Sequence, residues 1–342
     1  MNLRPEITYP DALLLPDPAF VDVRAPVEYG LDHIPGAVNI PVLDDGERAE
    51  IGTMYRIHGQ EKAILKGTQI VGEKLSSIVE EITRMKNRDI VIYCFRGGMR
   101  SSSLVSLLDS LGIPVRKLTG GYKGYRNWVR SRVESLDIVP PVFALHGLTG
   151  TGKTLIVRAL GYGIDLEYFA GHRSSLFGGI GLTANSQKTF ESLLVRRVDE
   201  LAAAGCAVIE GESRKIGDLH VPGRIVEYIG HAPAILITAS LERRVEILME
   251  EYSRGLDCGE ILGIIQTLET RIGHNNAAQL RSFFEAGRLA EFTAMVLEKY
   301  YDPLYKYSLD RKSFIARVEN RVPEDAVRET DAAIREYLRP LN

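Results

Sequence analysis

The chain has 342 residues, 45% hydrophobic and 25% charged, enough for about two globular domains that each bury their own core. A formal net charge of -3 at pH 7 argues against a generally basic coat for nucleic acid and leaves a local basic groove open. The three cysteines, Cys94, Cys206 and Cys258, form no Cys-x-x-Cys pair, no apolar run reaches the length of a membrane span, and MNLRPEITYP has no apolar signal core; a disulfide framework, a cysteine zinc site and membrane insertion are not expected, and a reducing cytoplasm is.

In chain order, the first predicted strand is Phe20–Arg24, which ends in the charged residues Asp22 and Arg24. A turn at His33, Pro35 and Gly36 separates it from a second strand at Ala37–Ile40. Gln60–Met85 carries Ile64, Ile70, Val71, Leu75, Ile78, Val79 and Ile82 on one helical stripe. Asp89–Tyr93 is continuous, β-branched and too short for a helix, so it reads as a buried parallel strand. It runs straight into Cys94, Arg96, Gly97, Gly98 and Arg100, after which a helix spans Arg100–Leu111, a strand spans Val115–Leu118, and GGYKGYRNW opens another helix. This alternation predicts a doubly wound α/β domain.

The segment after Asp89–Tyr93 is built for an anion. Gly97 and Gly98 permit a loop with inward-turned backbone N–H groups, Arg96 and Arg100 add positive charge, and the following helix directs its N-terminus at Cys94. All three effects favour a thiolate, which makes Cys94 a candidate nucleophile. A buried cysteine that merely ends a strand would leave this cradle unexplained.

FVDVRAPVEY, HIPGAVNIP, the Cys94 loop and LTGGYKGYRNW resemble, in order, the landmarks of a rhodanese domain, whose family moves sulfur on a cysteine persulfide. The resemblance implies that Asp22 and Arg24 brace the loop. One departure stands out: Cys94 and Arg100 are separated as C-x-x-G-x-x-R, one residue longer than a common rhodanese loop. That spacing resembles cysteine phosphatases and arsenate reductases, and it implies room for more than a single sulfur atom.

Pro140 and Pro141 mark the predicted boundary between a rhodanese-like domain, 1–138, and a second domain, 139–342. The second opens with PVFALHGLTGTGKT: a strand, then Gly147-x-x-x-x-Gly152-Lys153-Thr154, then an apolar helix, the context that a P-loop requires. The backbone through Gly147, Thr149, Gly150, Thr151 and Gly152 would cradle a di- or triphosphate, with Lys153 as a point charge and Thr154 available to Mg²⁺. A helix at Ser186–Ala204 and a strand at Cys206–Ile209 lead to Glu210, Glu212 and Arg214. The two glutamates either contact Mg²⁺ from a strand end, as Walker-B acids do, or pair with Arg214. Ala234–Ala239 is a further strand of a parallel P-loop sheet; beyond it the pattern is mostly helical, with a late strand at Phe314–Val318 and a final amphipathic helix. The run Lys299–Tyr307, KYYDPLYKY, either packs as a helix end or stacks on bases.

GHRSSLFGG at 171–179, SQKTFE at 186–191, EGESRKIG at 210–217 and the order rhodanese then P-loop resemble the tRNA 2-selenouridine synthase family over nearly the whole chain. His172 and Arg173 lie in the first of these stretches and are counted as supporting residues, and Gly211 stands where the family typically carries aspartate. The resemblance implies an enzyme that replaces sulfur by selenium at C2 of wobble 2-thiouridine in tRNA. Its selenium donor would be selenophosphate, supplied by selenophosphate synthetase, and its intermediate an S-geranyl base made from geranyl diphosphate. On this reading Cys94 takes selenium from selenophosphate while phosphate leaves into the Arg96 and Arg100 cradle, and the P-loop binds geranyl diphosphate without hydrolysing ATP. No tightly bound cofactor is expected beyond Mg²⁺ at Thr154 and Glu210. Leu176, Phe177 and Ile180 are the nearest apolar candidates for the prenyl tail. Arg173, Lys188, Arg196, Arg197 and Arg214 are either tRNA phosphate contacts or solvated helix faces.

Two rival readings stand beside this one. The first is a cysteine phosphatase or arsenate reductase-like enzyme fused to an ATP-binding domain, although Tyr93 stands where such phosphatases usually carry histidine. The second is a non-enzymatic P-loop switch whose rhodanese domain only docks a partner, which would leave Cys94 and both arginines without a use. The sequence specifies no oligomeric state.

Overall fold

A computed structural model describes residues 6–211, 214–252 and 258–339, without the side chains of 306–308. The chain divides into two compact units, 1–132 and 133–342. No helix among the described residues is long and apolar enough to cross a membrane.

The first unit is built on a parallel sheet of β1 (Pro18–Asp22), β2 (Val38–Asn39), β3 (Asp89–Tyr93) and β4 (Val115–Lys117), in the order β2-β1-β3-β4. Central β3 has the predicted bounds and is apolar throughout its interior because helices cover both faces of such a sheet. β1 starts and ends two residues earlier than predicted. The reason for the early end is local: the backbone N–H of Arg24 donates to the Asp22 carboxylate at 2.9 Å, which takes it out of the ladder. Register pairs Asp22 with Tyr93, so the ends of β1 and β3 lie side by side directly before Cys94.

Four long helices accompany this sheet: α1 (Asp45–His58), α2 (Gln60–Thr83), α3 (Met99–Ser110) and α4 (Gly121–Glu134). The sequence reading did not anticipate α1, which has no buried residue and so no apolar stripe to detect. Its start is nevertheless written locally, as a capping box: Asp44 accepts from the Glu47 backbone at 2.8 Å and Glu47 accepts from the Asp44 backbone at 2.8 Å. α2 buries Ala63, Ile70, Ile78 and Ile82.

The second unit has a five-stranded parallel sheet of β5 (Val142–His146), β6 (Gly163–Ile164), β7 (Ala207–Glu210), β8 (Ala234–Thr238) and β9 (Ala316–Glu319), in the order β9-β8-β5-β7-β6. The chain leaves β5 toward β7 on one side and returns to β8 on the other. The carboxyl end of β5 is therefore the topological switch point, where open α/β sheets place their ligands. Leu136 and Ile138, just before the paired prolines, are buried in this unit's core.

Helices 241–252, 258–272, 274–285 and 289–296 gather a separate apolar cluster that includes Ile265, Leu280 and Phe292. Within the tyrosine-rich run, Tyr301 is buried and its hydroxyl accepts from the Leu176 backbone at 2.8 Å. At that residue the run packs into the fold and has no face left for a base.

Candidate active sites

Cys94 follows β3 directly and is only 3% exposed. Burial alone would raise its thiol. The Ser101 hydroxyl donates to Sγ at 3.2 Å, and with the Ser101 and Arg96 backbone and the Arg100 charge it outweighs burial, so the thiol lies below its ordinary value. The loop is shaped from outside as well. Gly97 has φ 67° and Gly121 has φ 57°, and a Cβ on Gly121 would lie 2.3 Å from the Cys94 carbonyl and 2.5 Å from the Gly97 nitrogen. Backbone therefore presses on backbone, and Tyr122 and Lys123 donate their N–H groups to the Cys94 and Phe95 carbonyls, each at 2.9 Å. Gly98 has φ -86° and caps the start of α3, so it does not use the left-handed freedom for which it was singled out.

The two loop arginines differ. Arg96 extends over the Phe95 ring, 5.8 Å from its centroid. Arg100 is held back by Glu28, with Nη1 to Oε2 at 2.9 Å, and Arg48 reaches the same carboxylate at 3.1 Å. Sequence spacing did not reveal Glu28. Beneath the loop Arg24 is 2% exposed and Asp22 fully buried, joined by Nε to Oδ2 at 2.9 Å and Nη2 to Oδ2 at 2.6 Å. Arg24 also donates to the Asp32 carbonyl at 2.7 Å, and its guanidinium lies 4.0 Å over the Tyr122 ring. Since Tyr122 holds the Cys94 carbonyl, this buried pair supports the loop through its backbone.

At the switch point of the second unit, Gly150 and Gly152 take φ 79° and 85°. A Cβ on Gly152 would meet Asn320 Nδ2 at 2.3 Å; that buried amide donates to the Thr151 carbonyl at 2.9 Å. Arg244, paired with Asp302, donates to the Thr149 carbonyl at 2.8 Å. Lys153 Nζ curls over the loop, 3.1 Å from the Gly147 carbonyl. The Thr154 hydroxyl lies 3.1 Å from Glu210 and 3.2 Å from Glu167, a residue that the sequence did not mark. Among the described residues no group of three or more His, Cys, Asp or Glu side chains is arranged to hold a metal ion. The hydroxyl and two carboxylates are nevertheless hard oxygen donors of the kind Mg²⁺ takes beside a phosphate. Glu212 lies outside the described residues, and Arg214 is exposed.

His146, the last residue of β5, stands beside the P-loop. Burial, then the charges of Lys312 and Lys153, push it down to about 4, so it is neutral near pH 7 and its Nε2 accepts from Lys312 Nζ at 2.8 Å. A Cβ on Gly211 would lie 2.2 Å from this ring, so a side chain at 211 and the imidazole compete for the same space. His146 and Lys312 line one cavity with Lys153, Thr154 and Glu210.

His172 packs its ring against Gly178 and Gly217. Arg173 donates to the Ile180 carbonyl at 3.2 Å and the Glu251 carbonyl at 2.9 Å, so it anchors the 172–180 loop. Arg196 pairs with Glu200 at 2.9 Å and Arg197 donates to the Gly163 carbonyl at 2.8 Å. These three cations are engaged within their own unit.

An apolar cavity of about 310 Å³ adjoins the P-loop, walled by Phe177, Ile180, Met249, Phe292 and Leu297. Thr149, Ser175, Leu248 and Tyr252 line both it and the phosphate cavity, so the two are neighbours with four wall residues in common. Of the three residues named for a prenyl tail, Phe177 and Ile180 face it, whereas Leu176 does not line it.

Residues 140–259 match the family model of the tRNA 2-selenouridine synthase AAA domain, and residues 11–127 match that of the Rhodanese-like domain. Relatives bearing the name tRNA 2-selenouridine synthase include one from Chromohalobacter salexigens, 34% identical, and one from Pseudomonas syringae pv. syringae, 31% identical. Each alignment covers 90% of this chain and 92% of the relative.

Proposed function

The chain belongs to the tRNA 2-selenouridine synthase family, enzymes of tRNA modification, and from that premise we propose that it converts wobble 2-thiouridine to 2-selenouridine in two steps. The first is S-geranylation by geranyl diphosphate at the P-loop. The second is displacement of the geranylthiol by selenium from selenophosphate in the Cys94 unit. The observation that carries this reading is the apolar cavity of about 310 Å³ set against the phosphate cavity, with four wall residues common to both. A diphosphate head with a short isoprenoid tail uses both; a nucleoside triphosphate leaves the apolar half without a role.

In the first step the thiocarbonyl sulfur attacks C1 of the geranyl group and the C1–O bond breaks. The P-loop N–H groups, Lys153 and Lys312 take up the charge of the departing diphosphate. Thr154, Glu210 and Glu167 would hold Mg²⁺, which when bound neutralises diphosphate charge.

Electron counting decides the second step. A thiolate that takes selenium from selenophosphate leaves phosphorus as phosphite, so the simple transfer expected from the sequence does not release phosphate. The balanced route has selenium attack C2 while the C2–S bond breaks and geranylthiol departs, leaving a Se-phosphoryl base. The Cys94 thiolate then attacks phosphorus, the Se–P electron pair returns to the selenouridine, and water hydrolyses the phosphocysteine to phosphate. The six-residue spacing from Cys94 to Arg100 suits a tetrahedral phosphoryl group better than a lone chalcogen.

The cytoplasm, where tRNA and a selenophosphate synthetase would supply both substrates, is the proposed setting. The test is nucleoside mass spectrometry of 2-thiouridine RNA incubated with protein and selenophosphate, with and without geranyl diphosphate. Selenouridine is expected only when both are present. RNA unchanged in every tube would remove the tRNA reading and return Cys94 to a phosphatase role, to be assayed with an aryl phosphate.

A further inference from the structure

The first unit contains an apolar groove of about 560 Å³ that plays no part in the steps above. It runs between α1 and α2 and ends at the first turns of α3, so Met99 and Arg100 belong both to the groove and to the Cys94 loop. Val42, Leu43 and Leu104 on its floor pack in the same core cluster as Cys94. Its walls are aliphatic and aromatic, with Tyr55, Ile64 and Leu75 along the length, while Arg48 and Arg100, joined through Glu28, form a charged end beside the loop.

Three glycines line it: Gly52 on α1, and Gly67 and Gly72 on α2. None has a positive φ, and a Cβ would meet nothing within 4 Å at Gly52 or Gly72 and only the tip of Ile51, at 3.7 Å, at Gly67. Backbone geometry and close packing therefore give no reason for glycine, which is a poor helix former. What these glycines do is leave the groove open.

We infer that this groove receives the ten-carbon isoprenoid of the S-alkylated uridine while selenium displaces it, so that geranylthiol departs along α1 and α2. The inference rests on the S-geranyl reading above and adds a second prenyl site, distinct from the donor cavity at the P-loop. The groove matches its occupant in polarity: a charged end next to Cys94 for the nucleotide and incoming selenophosphate, and an apolar length for the tail. In the step it serves, the C2–Se bond forms as the C2–S bond breaks, and the sulfur leaves as a thiolate that takes a proton from solvent.

The experiment uses the full chain and two RNAs, one with S-geranyl-2-thiouridine and one with S-methyl-2-thiouridine, each with selenophosphate. Gly72→Phe places a ring in the groove, and Tyr55→Ala, at a side chain 56% exposed, removes one wall without touching the core. Both variants should raise the S-geranyl to S-methyl KM ratio, Gly72→Phe by about tenfold, the loss carried by roughly two displaced methylene groups. Geranylation of 2-thiouridine RNA from geranyl diphosphate should be unchanged. Equal effects on both RNAs in both variants, or no effect on either, would overturn the inference. Wild-type protein that leaves S-geranyl RNA untouched would instead bring down the two-step reading itself, and the groove assignment with it.

Discussion

The Ser101 hydroxyl, 3.2 Å from Sγ, is the leading group that holds the Cys94 thiol below its ordinary value against burial. Because the folded thiol lies below its ordinary value, the reactive form is present above that lowered pKa and is lost as pH falls through it. Removing the donor with Ser101→Ala should move the acid limb of Cys94 alkylation to higher pH. Peptide-resolved iodoacetamide labelling across pH measures this, and an unmoved limb would assign the lowered thiol to the backbone and Arg100 alone. His146 and Gly211 form the corresponding pair at the other site. Gly211→Asp should cut geranylation sharply because its Cβ meets the ring at 2.2 Å, and His146→Ala should restore part of the loss. A double-mutant cycle should give a coupling of about 1–3 kcal/mol, and additivity would refute the steric account. Cys94, Lys153 and Thr154 were legible in the sequence because each site's chemistry is packed into one short loop. Glu28 and Lys312 were not, since they reach Arg100 and His146 across 72 and 166 residues, and no spacing rule spans that distance.

Among the elements, strands were the easiest to read where they are buried on both faces, as β3 shows. The ends of β1 depend on a side chain taking a backbone donor, which hydrophobic pattern does not report. α1 shows the opposite failure: a helix without a buried face has no stripe, and only its capping box betrays it. The Asp22–Arg24 pair joins β1 to the helix that clamps the Cys94 loop. Arg24→Met should destabilise the first unit by about 3–5 kcal/mol, because it leaves a buried carboxylate unpaired. Urea unfolding should show the loss, and selenation of S-geranyl RNA should fall while geranylation persists. A parallel fall in geranylation would mean that the brace supports more than the loop.

For the whole molecule, the proposed division of chemistry between two units has a direct consequence for mixtures. With both donors present, Cys94→Ser should accumulate Se-phosphoryl RNA, and Lys153→Ala should lose about 10²–10³ in the rate of geranylation, so the first should release no selenouridine from 2-thiouridine RNA and the second very little. Mixed together with both donors, they should produce selenouridine after a lag, as the intermediate made by one protein is finished by the other. Mass spectrometry of the time course decides it; Se-phosphoryl RNA that persists in the mixture would show that the intermediate does not pass between molecules. The order of domains and both loops could be read from the chain. The apolar cavity beside the P-loop could not, because its walls come from loops and helices spread over more than a hundred residues, from Thr149 to Tyr301.

The crowding between His146 and position 211 also makes one residue a handle on a distant one. A Cβ at 211 would lie 2.2 Å from the imidazole, and that ring accepts from Lys312 Nζ at 2.8 Å. Any side chain added at 211 therefore has to displace the ring, and the ammonium that rests on it loses its seat, so a change at one strand end is transmitted to a cation 101 positions further along the chain.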